Sequence, residues 1–259
     1  MKIAIIGVGS MGSAIVEGLN RQKVVPVELI GQSSSTASAS HHAQTLNIPV
    51  FGEPKDVLAQ QPDLLFFVTP AKQTLAIMQE FVNLSIPSGT IVLSAAAGVS
   101  NEAILRTAGN VPTAALIPNT AVAYNAGTIA YAPGKHLVNG QLDQVVNLLK
   151  TLGDVFEVKE NQLDLAGVVG GCAPAFVDVF MAAMEDAAVS EGLSRATARE
   201  IISSMVKGSA QLAQASGKSY TELKDEVTSP GGTTIKGVLA LEDNGFRSAV
   251  IKALLASNS

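Results

Sequence analysis

A glycine-rich turn near the start of the chain constrains the fold more than any other segment. Gly7, Gly9 and Gly12 follow the apolar run Lys2–Ile6 and open residues 11–20, where apolar side chains recur at helical spacing. A G-x-G-x-x-G turn between a strand and a helix is typical of dinucleotide-binding units, because its glycines allow a tight turn, close approach of a pyrophosphate and close helix packing. The alternative is a tight strand-to-helix turn that binds no ligand.

The alternation of strand and helix continues through residues 1–159. Short apolar runs indicate further strands at 27–31, 64–68, 90–95, 114–117, 128–131 and 155–158. Helical spacing returns between them, for example at 71–81 and 140–152. Because alternating strands and helices form parallel βαβ units, we predict an α/β domain over 1–159 with a Rossmann-type doubly wound sheet.

The strand pattern stops after residue 160. Ala-rich helical stretches follow at 174–191, 196–215 and 234–255. Gly192 and Gly217 stand where helix C-termini favour a residue that tolerates positive φ. We therefore predict an all-α domain over 160–259.

Composition narrows the choice of partners. Only 15% of the 259 residues are charged and 47% are hydrophobic, so we expect an apolar face to be buried against another subunit. A net charge of -5 with no basic run argues against nucleic acid. The apolar run 174–189 contains Asp178, Glu185 and Asp186, which argues against a membrane span. The single cysteine, Cys172, gives neither a disulfide nor a metal-ligand spacing, which fits a reducing cytoplasm.

The second predicted strand ends without an acidic residue. Sites that prefer NADH usually have a carboxylate about 20 positions after the glycines, where it binds the ribose 2′-hydroxyl. Ser33 and Ser34 occupy this region, so we predict NADPH as the preferred cofactor, with NADH as the alternative because no Arg or Lys is present in the run. His41 and His42 fit a solvated helix face better than a phosphate clamp. The residues of the glycine turn predicted to bind the cofactor are Gly7, Gly9, Ser10, Met11 and Gly12.

A second glycine motif lies in the helical region. In Ser229-Pro-Gly-Gly-Thr-Thr234, the prolyl ring fixes φ, while Gly231 and Gly232 let the backbone turn and approach a ligand. Thr233 and Thr234 add hydroxyls beside the free N–H groups of a helix start, which suits a carboxylate. An ordinary helix start is the alternative.

Motifs along nearly the whole chain resemble those of pyrroline-5-carboxylate reductases. The run 221–235, closed by 245–251, resembles their C-terminal signature, and 68–70, 94–100 and 118–120 resemble three of their loops. The resemblance implies hydride transfer from NADPH to the C=N carbon of 1-pyrroline-5-carboxylate, giving L-proline. It also implies homodimers formed through the helical domain, with rings of dimers as a larger assembly.

The resemblance also assigns residues to the site. We expect the Ser229 hydroxyl and the backbone N–H groups of Gly232, Thr233 and Thr234 to hold the substrate carboxylate, in a site that also includes Gly231. Thr234 would in addition hydrogen-bond the ring nitrogen. The remaining cofactor contacts that it implies are Thr69, Pro70 and Ala97, with Asn119 near the nicotinamide.

Five positions depart from the family pattern and leave other functions open. They are Thr69 for a Lys, Ala115 for an Arg, Ala121 for a Pro, Cys172 for a Ser and Phe176 for a Tyr. A reductase of a different cyclic imine therefore remains an alternative, as does a dinucleotide-binding homologue without turnover. A β-hydroxyacid reductase is disfavoured because residues 161–190 contain no Lys. Cys172 has the surroundings of a packing residue rather than a nucleophile.

Overall fold

The computed structural model describes residues 1–258, and these divide into two compact units. The first runs from Met1 to Gly171 and the second begins at Cys172. The first unit contains every strand described in the chain, and the second is helical.

An eight-stranded sheet forms the centre of the first unit. Its strands are β1 (Lys2–Ile6), β2 (Glu28–Gln32), β3 (Val50–Phe51), β4 (Leu64–Phe67), β5 (Ile91–Ser94), β6 (Thr113–Ile117), β7 (Gly127–Pro133) and β8 (Gly153–Glu157). Their order is β3-β2-β1-β4-β5-β6-β7-β8. The predicted strands and the Rossmann-type order are confirmed, while the two-residue β3 was not predicted.

One pair of strands departs from the predicted parallel arrangement. β6 and β7 are antiparallel, with Ala115 opposite Ala132. Only a short 3₁₀ turn, Thr120–Tyr124, lies between them. A parallel pair needs a crossover of a dozen or more residues, usually a helix, so this short connection returns the chain in the opposite direction.

Helices cover both faces of the sheet. They are α1 (Ser10–Arg21), α2 (Thr36–Leu46), α3 (Pro54–Leu58), α4 (Ala71–Asn83), α5 (Asn101–Ala108), α6 (Asn139–Lys150) and α7 (Leu163–Gly167). Because successive strand residues point to opposite faces, Ile3 and Ile5 join the apolar cluster under α1 and α6. Ala4 and Ile6 join the cluster under α4 and α5. Each cluster is a continuous core.

The segment after the predicted boundary at residue 160 belongs to the sheet unit. α7 packs on β6 and β7. Leu163 is buried, and a Cβ on Gly167 would lie 2.5 Å from Ile117 Cδ1. A π-helical turn, Val168–Cys172, then leads into the second unit. The assignment of separate domains to 1–159 and 160–259 stays a prediction.

Five helices make up the described part of the second unit. They are α8 (Ala173–Ser190), α9 (Arg195–Ser216), α10 (Tyr220–Glu226), α11 (Thr233–Asp243) and α12 (Phe246–Ala256). The prediction of one helix over 234–255 is wrong, because the helix is interrupted at Gly245, which has a φ of 71°. That left-handed conformation interrupts a helix and is adopted most readily by glycine.

This second unit buries few of its own side chains. Among its described residues only Ala198 and Ile202 are buried, whereas Val179 is 71% exposed. An apolar cleft of about 650 Å³ is lined by Phe176, Phe180, Met184, Leu241, Phe246 and Val250, among others. By length and composition alone, the helical stretch Glu160–Ser190 could also cross a membrane.

An ion-pair cluster joins α8 to α9. Arg195 Nη1 lies 2.8 Å from Glu185 Oε1, and Arg199 Nε lies 3.3 Å from Glu185 Oε2. Hydrogen bonds from Arg199 and then Arg195 lower the pKa of Glu185 below its ordinary value.

Candidate functional site

The three glycines of the first turn meet different surroundings. A Cβ on Gly7 would lie 2.7 Å from Val68 O, and a Cβ on Gly12 would lie 2.1 Å from Gly7 O. No atom lies within 4 Å of the corresponding position on Gly9. Gly7 and Gly12 are therefore required by packing within the protein, whereas Gly9 leaves the backbone open to a ligand.

The start of α1 offers free amides to an anion. Its N-cap is Gly9, and no side chain caps the helix. By contrast, Ser35 and Ser100 accept backbone N–H bonds at the starts of α2 and α5, at 3.2 and 3.1 Å. Ser10 is exposed and Met11 half-buried in the first turn of α1. Because uncapped N–H groups and the helix dipole both favour negative charge, this turn suits a pyrophosphate.

A cavity of about 550 Å³ lies over this turn. The predicted cofactor residues that line it are Gly7, Gly9, Ser33, Ser34, Thr69 and Pro70. The carboxylates Glu53 and Glu80 also line the cavity, and its described lining residues include neither Lys nor Arg. The cavity therefore joins the glycine turn to the ends of β2 and β4, as expected of a dinucleotide site at the carboxyl edge of a parallel sheet.

The serines after β2 are held in different ways. Ser33 is buried, and its Oγ lies 2.6 Å from Ser38 Oγ, whereas Ser34 is exposed. The interpretation of both histidines as a solvated helix face is correct only for His41, because His42 is half-buried and lines the cavity. Helical spacing alone could not show that α2 turns this residue toward the end of β2.

The turn after β4 packs against the glycine turn. Thr69 Oγ1 lies 2.9 Å from Thr74 Oγ1, and Thr74 is fully buried. A Cβ on Gly7 would also lie 2.7 Å from Thr69 Cγ2. Pro70 is the N-cap of α4, which has no side-chain cap. Thr69, the residue that replaces the family's Lys, thus has its hydroxyl bonded within the turn.

Ala97 and Asn119 lie on neighbouring loops of the same sheet edge but do not line the cavity. Ala97 is exposed, in a turn closed by Val99 N donating to Ala96 O at 3.2 Å. Asn119 is 7% exposed, and both ends of its amide are bonded within the protein. Its Nδ2 donates to Gly170 O at 2.8 Å, and its Oδ1 accepts from Thr128 N at 3.2 Å.

The predicted substrate residues meet in one turn of the second unit. Gly232 N donates to Ser229 O at 3.0 Å, and Gly231 has a φ of 72°. Proline at the second position and a left-handed glycine at the third define a type II turn. Gly232 is the N-cap of α11, which lacks a side-chain cap.

The Ser229 hydroxyl lies beside this helix start. Its Oγ is 2.5 Å from the position that a Cβ on Gly232 would take. Thr233 and Thr234 are exposed in the first turn of α11. A hydroxyl and free main-chain amides therefore converge on one exposed spot, an arrangement that can bind a carboxylate.

Two carboxylates that sequence reasoning missed support the Ala97 loop. Asp164 Oδ1 accepts from Gly98 N at 3.0 Å, and Glu160 Oε1 accepts from Asn101 N at 2.6 Å. These partners are 66 and 59 positions apart in the chain, so no local pattern joins them.

Comparison with known proteins gives full-length matches. Residues 160–259 match the family described as pyrroline-5-carboxylate reductase dimerisation, and residues 2–98 match the NADP oxidoreductase coenzyme F420-dependent family. The chain is 33% identical to pyrroline-5-carboxylate reductase of Escherichia coli K12 over 98% of its own length and 94% of that protein's. The corresponding enzyme of Synechocystis is 34% identical, with 99% and 96% covered.

Solved structures agree with these matches. The 1-pyrroline-5-carboxylate reductase of Streptococcus pyogenes superposes with a TM-score of 0.87 at 28% identity, covering 100% of this chain and 96% of that one. The Plasmodium falciparum pyrroline carboxylate reductase with NADP bound has the same TM-score at 24% identity, with 100% and 95% covered, and supports the fold. The resemblance inferred from the motifs is therefore confirmed, and the chain belongs to the pyrroline-5-carboxylate reductase family.

Proposed function

We propose that this chain reduces 1-pyrroline-5-carboxylate to L-proline with a hydride from NADPH. The observation that carries the proposal is the Ser229–Gly232 turn before the uncapped α11, in a chain whose relatives along nearly its whole length are named for this reaction. A protein that only bound a dinucleotide would have no use for a second anion site.

NADPH fits the residues of the first unit. The amides at the start of α1, with Ser10 and Met11, would hold the pyrophosphate, and the open space above Gly9 admits it. Ser33 and Ser34 would face the adenosine ribose, and Thr69 and Pro70 would flank the rest of the cofactor from the same cavity. Ala97 would flank it from the loop after β5, outside that cavity. Asn119 would lie near the nicotinamide and shape the wall, because its amide is already bonded at both ends. When bound, the cofactor supplies the hydride.

A preference for NADPH over NADH is supported by the end of β2. Hydroxyls stand where an NADH site would have a carboxylate, and His42 adds a ring N–H donor to the same wall. Glu53 and Glu80 act in the opposite direction, because a carboxylate repels a 2′-phosphate. A comparison of kcat/KM for the two cofactors tests the preference, and a clear advantage for NADH contradicts it.

The second unit would orient the substrate. Amides at Gly232, Thr233 and Thr234, with the Ser229 hydroxyl, would hold the carboxylate in the turn that Gly231 makes possible. The Thr234 hydroxyl would hydrogen-bond the ring nitrogen. Because an imine nitrogen is already partly protonated near neutrality, holding the ring in place is the main contribution of these residues.

A second copy of the chain would cover the apolar helices. The family match over 160–259 is to a dimerisation domain, and α8 has no buried residue in the single chain. A homo-oligomer explains this exposed surface, and we propose a dimer that can assemble further into rings. With its apolar stretch covered by protein, Glu160–Ser190 needs no bilayer, and we place the enzyme in the cytoplasm.

The decisive assay follows the absorbance of NADPH, which falls when an imine is reduced and rises when a hydroxyacid is oxidised. Purified protein is given 1-pyrroline-5-carboxylate, its six-membered homologue or a panel of 3-hydroxyacids with oxidised cofactor. We expect turnover with the five-membered imine. A higher kcat/KM for the six-membered ring would reassign the substrate, in keeping with Phe176 in place of the family's Tyr. NADPH binding without turnover of any substrate would instead indicate a homologue that has lost catalysis.

A further inference from the structure

Among the described lining residues of the cavity over the glycine turn, His42 alone can become positively charged. The other charged groups of this lining are the carboxylates of Glu53, which precedes α3, and Glu80 on α4. The lining residues from β2, the glycine turn and the turn after β4 carry no charge. A ligand with additional negative charge therefore meets two groups that repel it and one that can attract it.

A hydrogen bond at the end of β2 holds the face of α2 to which His42 belongs. Ser33 Oγ lies 2.6 Å from Ser38 Oγ. His42 follows Ser38 by four residues, so the two side chains lie on the same face of the helix, and both line the cavity. The preceding residue, His41, is exposed and does not line it. Two adjacent histidines thus differ in their access to the site.

The half-buried imidazole of His42 is available to a ligand. Within residues 1–258 neither of its ring nitrogens is hydrogen-bonded to a protein atom, and its ring contact is with His41, at 5.6 Å between centroids. α2 packs against α1, β2 and β3, and these add no charged residue to the described lining. The start of α2 is already capped in part, because Ser38 N donates to Ser35 Oγ at 3.2 Å.

We propose that His42 is the specificity-determining residue that favours NADPH over NADH, and that it does so through the positive charge of its protonated imidazole. This inference rests on the proposed function, which places the adenosine ribose at the end of β2. The two cofactors differ by the 2′-phosphate, and a phosphate monoester carries a charge of about -1.5 to -2 at pH 7. In this cavity that charge faces Glu53 and Glu80, and His42 offsets their repulsion.

The choice of cofactor therefore depends on pH. Histidine is the side chain that typically changes its charge between about pH 5 and pH 8. As the pH rises through this range, His42 loses the charge that attracts the phosphate, while both carboxylates keep theirs. The neutral ring can still donate one hydrogen bond, so the advantage of NADPH shrinks. Binding of NADH, which has no 2′-phosphate, changes little.

The test measures dissociation constants of NADPH and NADH by calorimetry with the full chain, from about pH 6.5 to about pH 8.5. His42→Gln supplies a neutral donor, and His42→Lys supplies a charge that persists over the whole range. His41→Gln is the matched control, because it changes the adjacent histidine outside the cavity. Thermal melting confirms that each variant is folded.

We expect the wild-type ratio of the NADH to the NADPH dissociation constant to fall about tenfold between the lowest and the highest pH, because a charge-assisted hydrogen bond is replaced by a neutral one. His42→Gln should show the low ratio at every pH, and His42→Lys the high one. His41→Gln should follow the wild type. The 2′-phosphate itself titrates near pH 6, but it does so in every variant, so comparing variants isolates the contribution of His42.

A wild-type ratio that does not change with pH would overturn the proposal, as would the same change in His42→Gln. A ratio in His42→Lys as low as in His42→Gln would also overturn it, since a charge would then not replace the histidine. Failure of both cofactors to bind would overturn the proposed cofactor site as well. Calorimetry needs no turnover, so the expected ratios in a protein that leaves the imine unreduced would support His42 and count against the proposed reaction alone.

Discussion

Gly9 and Gly12 belong to the same turn, yet the space around them imposes opposite requirements. The backbone of Gly7 stands where a side chain on Gly12 would begin, whereas the surface above Gly9 is open. The first constraint comes from the protein and the second, in our proposal, from a ligand that the protein must admit.

Single alanine substitutions separate these two constraints. Gly12→Ala should destabilise the protein by about 1–3 kcal/mol, because its Cβ overlaps Gly7 O and the helix must shift. Gly9→Ala should leave the melting temperature nearly unchanged but weaken NADPH binding. Thermal unfolding and calorimetry measure the two effects. Unchanged NADPH affinity in Gly9→Ala would show that the pyrophosphate does not bind at this turn.

Thr234 tests the second site in the same way. Thr234→Ala should lower kcat/KM for 1-pyrroline-5-carboxylate by about 1–3 kcal/mol of transition-state stabilisation, because the ring nitrogen loses a hydrogen-bond partner. Thr228→Ala in the preceding segment is the control, since its hydroxyl is bonded to the Lys224 and Asp225 carbonyls. Wild-type rates in the Thr234 variant would exclude it from the site.

Both glycine turns could be predicted from the sequence because their geometry is local. Gly231 must adopt a left-handed φ, and Gly12 must lack a side chain because the Gly7 carbonyl lies against it. Each requirement is set by residues within a few positions of the chain. The Asp164–Gly98 bond could not be predicted in this way, because it joins residues 66 positions apart that only the packing of α7 brings together.

At the scale of elements, ion pairs join α8 to α9, and the Glu185 carboxylate takes part in two of them. Glu185 Oε1 and Oε2 bind Arg195 and Arg199, and these bonds hold the pKa of Glu185 below its ordinary value. A depressed pKa means that the folded state binds the proton less readily than the unfolded state. The pair therefore stabilises the fold above the unfolded-state pKa, and this contribution is lost as the pH falls toward the folded-state pKa.

This argument predicts a pH-dependent difference between the wild type and Glu185→Gln. The wild type should melt at the higher temperature at pH 7, and the difference should shrink as the pH falls below about 4.3. Glu200→Gln on the exposed side of α9 is the control. A difference in melting temperature that stays constant down to pH 3 would show that the charge of Glu185 is not the cause.

The sequence predicts whether a segment is a helix or a strand where the hydrophobic pattern extends over many residues, but it does not predict the direction of a strand in the sheet. β7 has the composition of its parallel neighbours, but the 3₁₀ turn Thr120–Tyr124 is too short to cross the sheet, and this reverses the strand. The predicted helix 234–255 shows unbroken helical spacing, yet Gly245 adopts a left-handed φ and divides it. In both cases a connection, rather than a periodic segment, decided the outcome.

For the whole molecule, exposed apolar side chains of the second unit are the main feature that a single chain leaves unexplained. Val179, Leu239 and Leu255 are each more than half exposed. Such surface is expected between subunits.

Val179→Glu should therefore produce monomers with little activity, because a charge in the subunit interface would be left without water or a partner. Val24→Glu is the matched control, since Val24 is 83% exposed on the sheet unit. Light scattering at assay concentration gives the mass of each variant. Wild-type mass and activity in Val179→Glu would place the subunit contact elsewhere.

The scarcity of buried side chains beyond Gly171 also bears on synthesis. A ribosome delivers the strands first, and they can close their own core as soon as α7 has emerged. We expect the apolar side chains of the later helices to stay exposed to water until another copy of the chain covers them. We therefore expect two copies to associate sooner on crowded polysomes, where sister chains emerge side by side, than on isolated ribosomes.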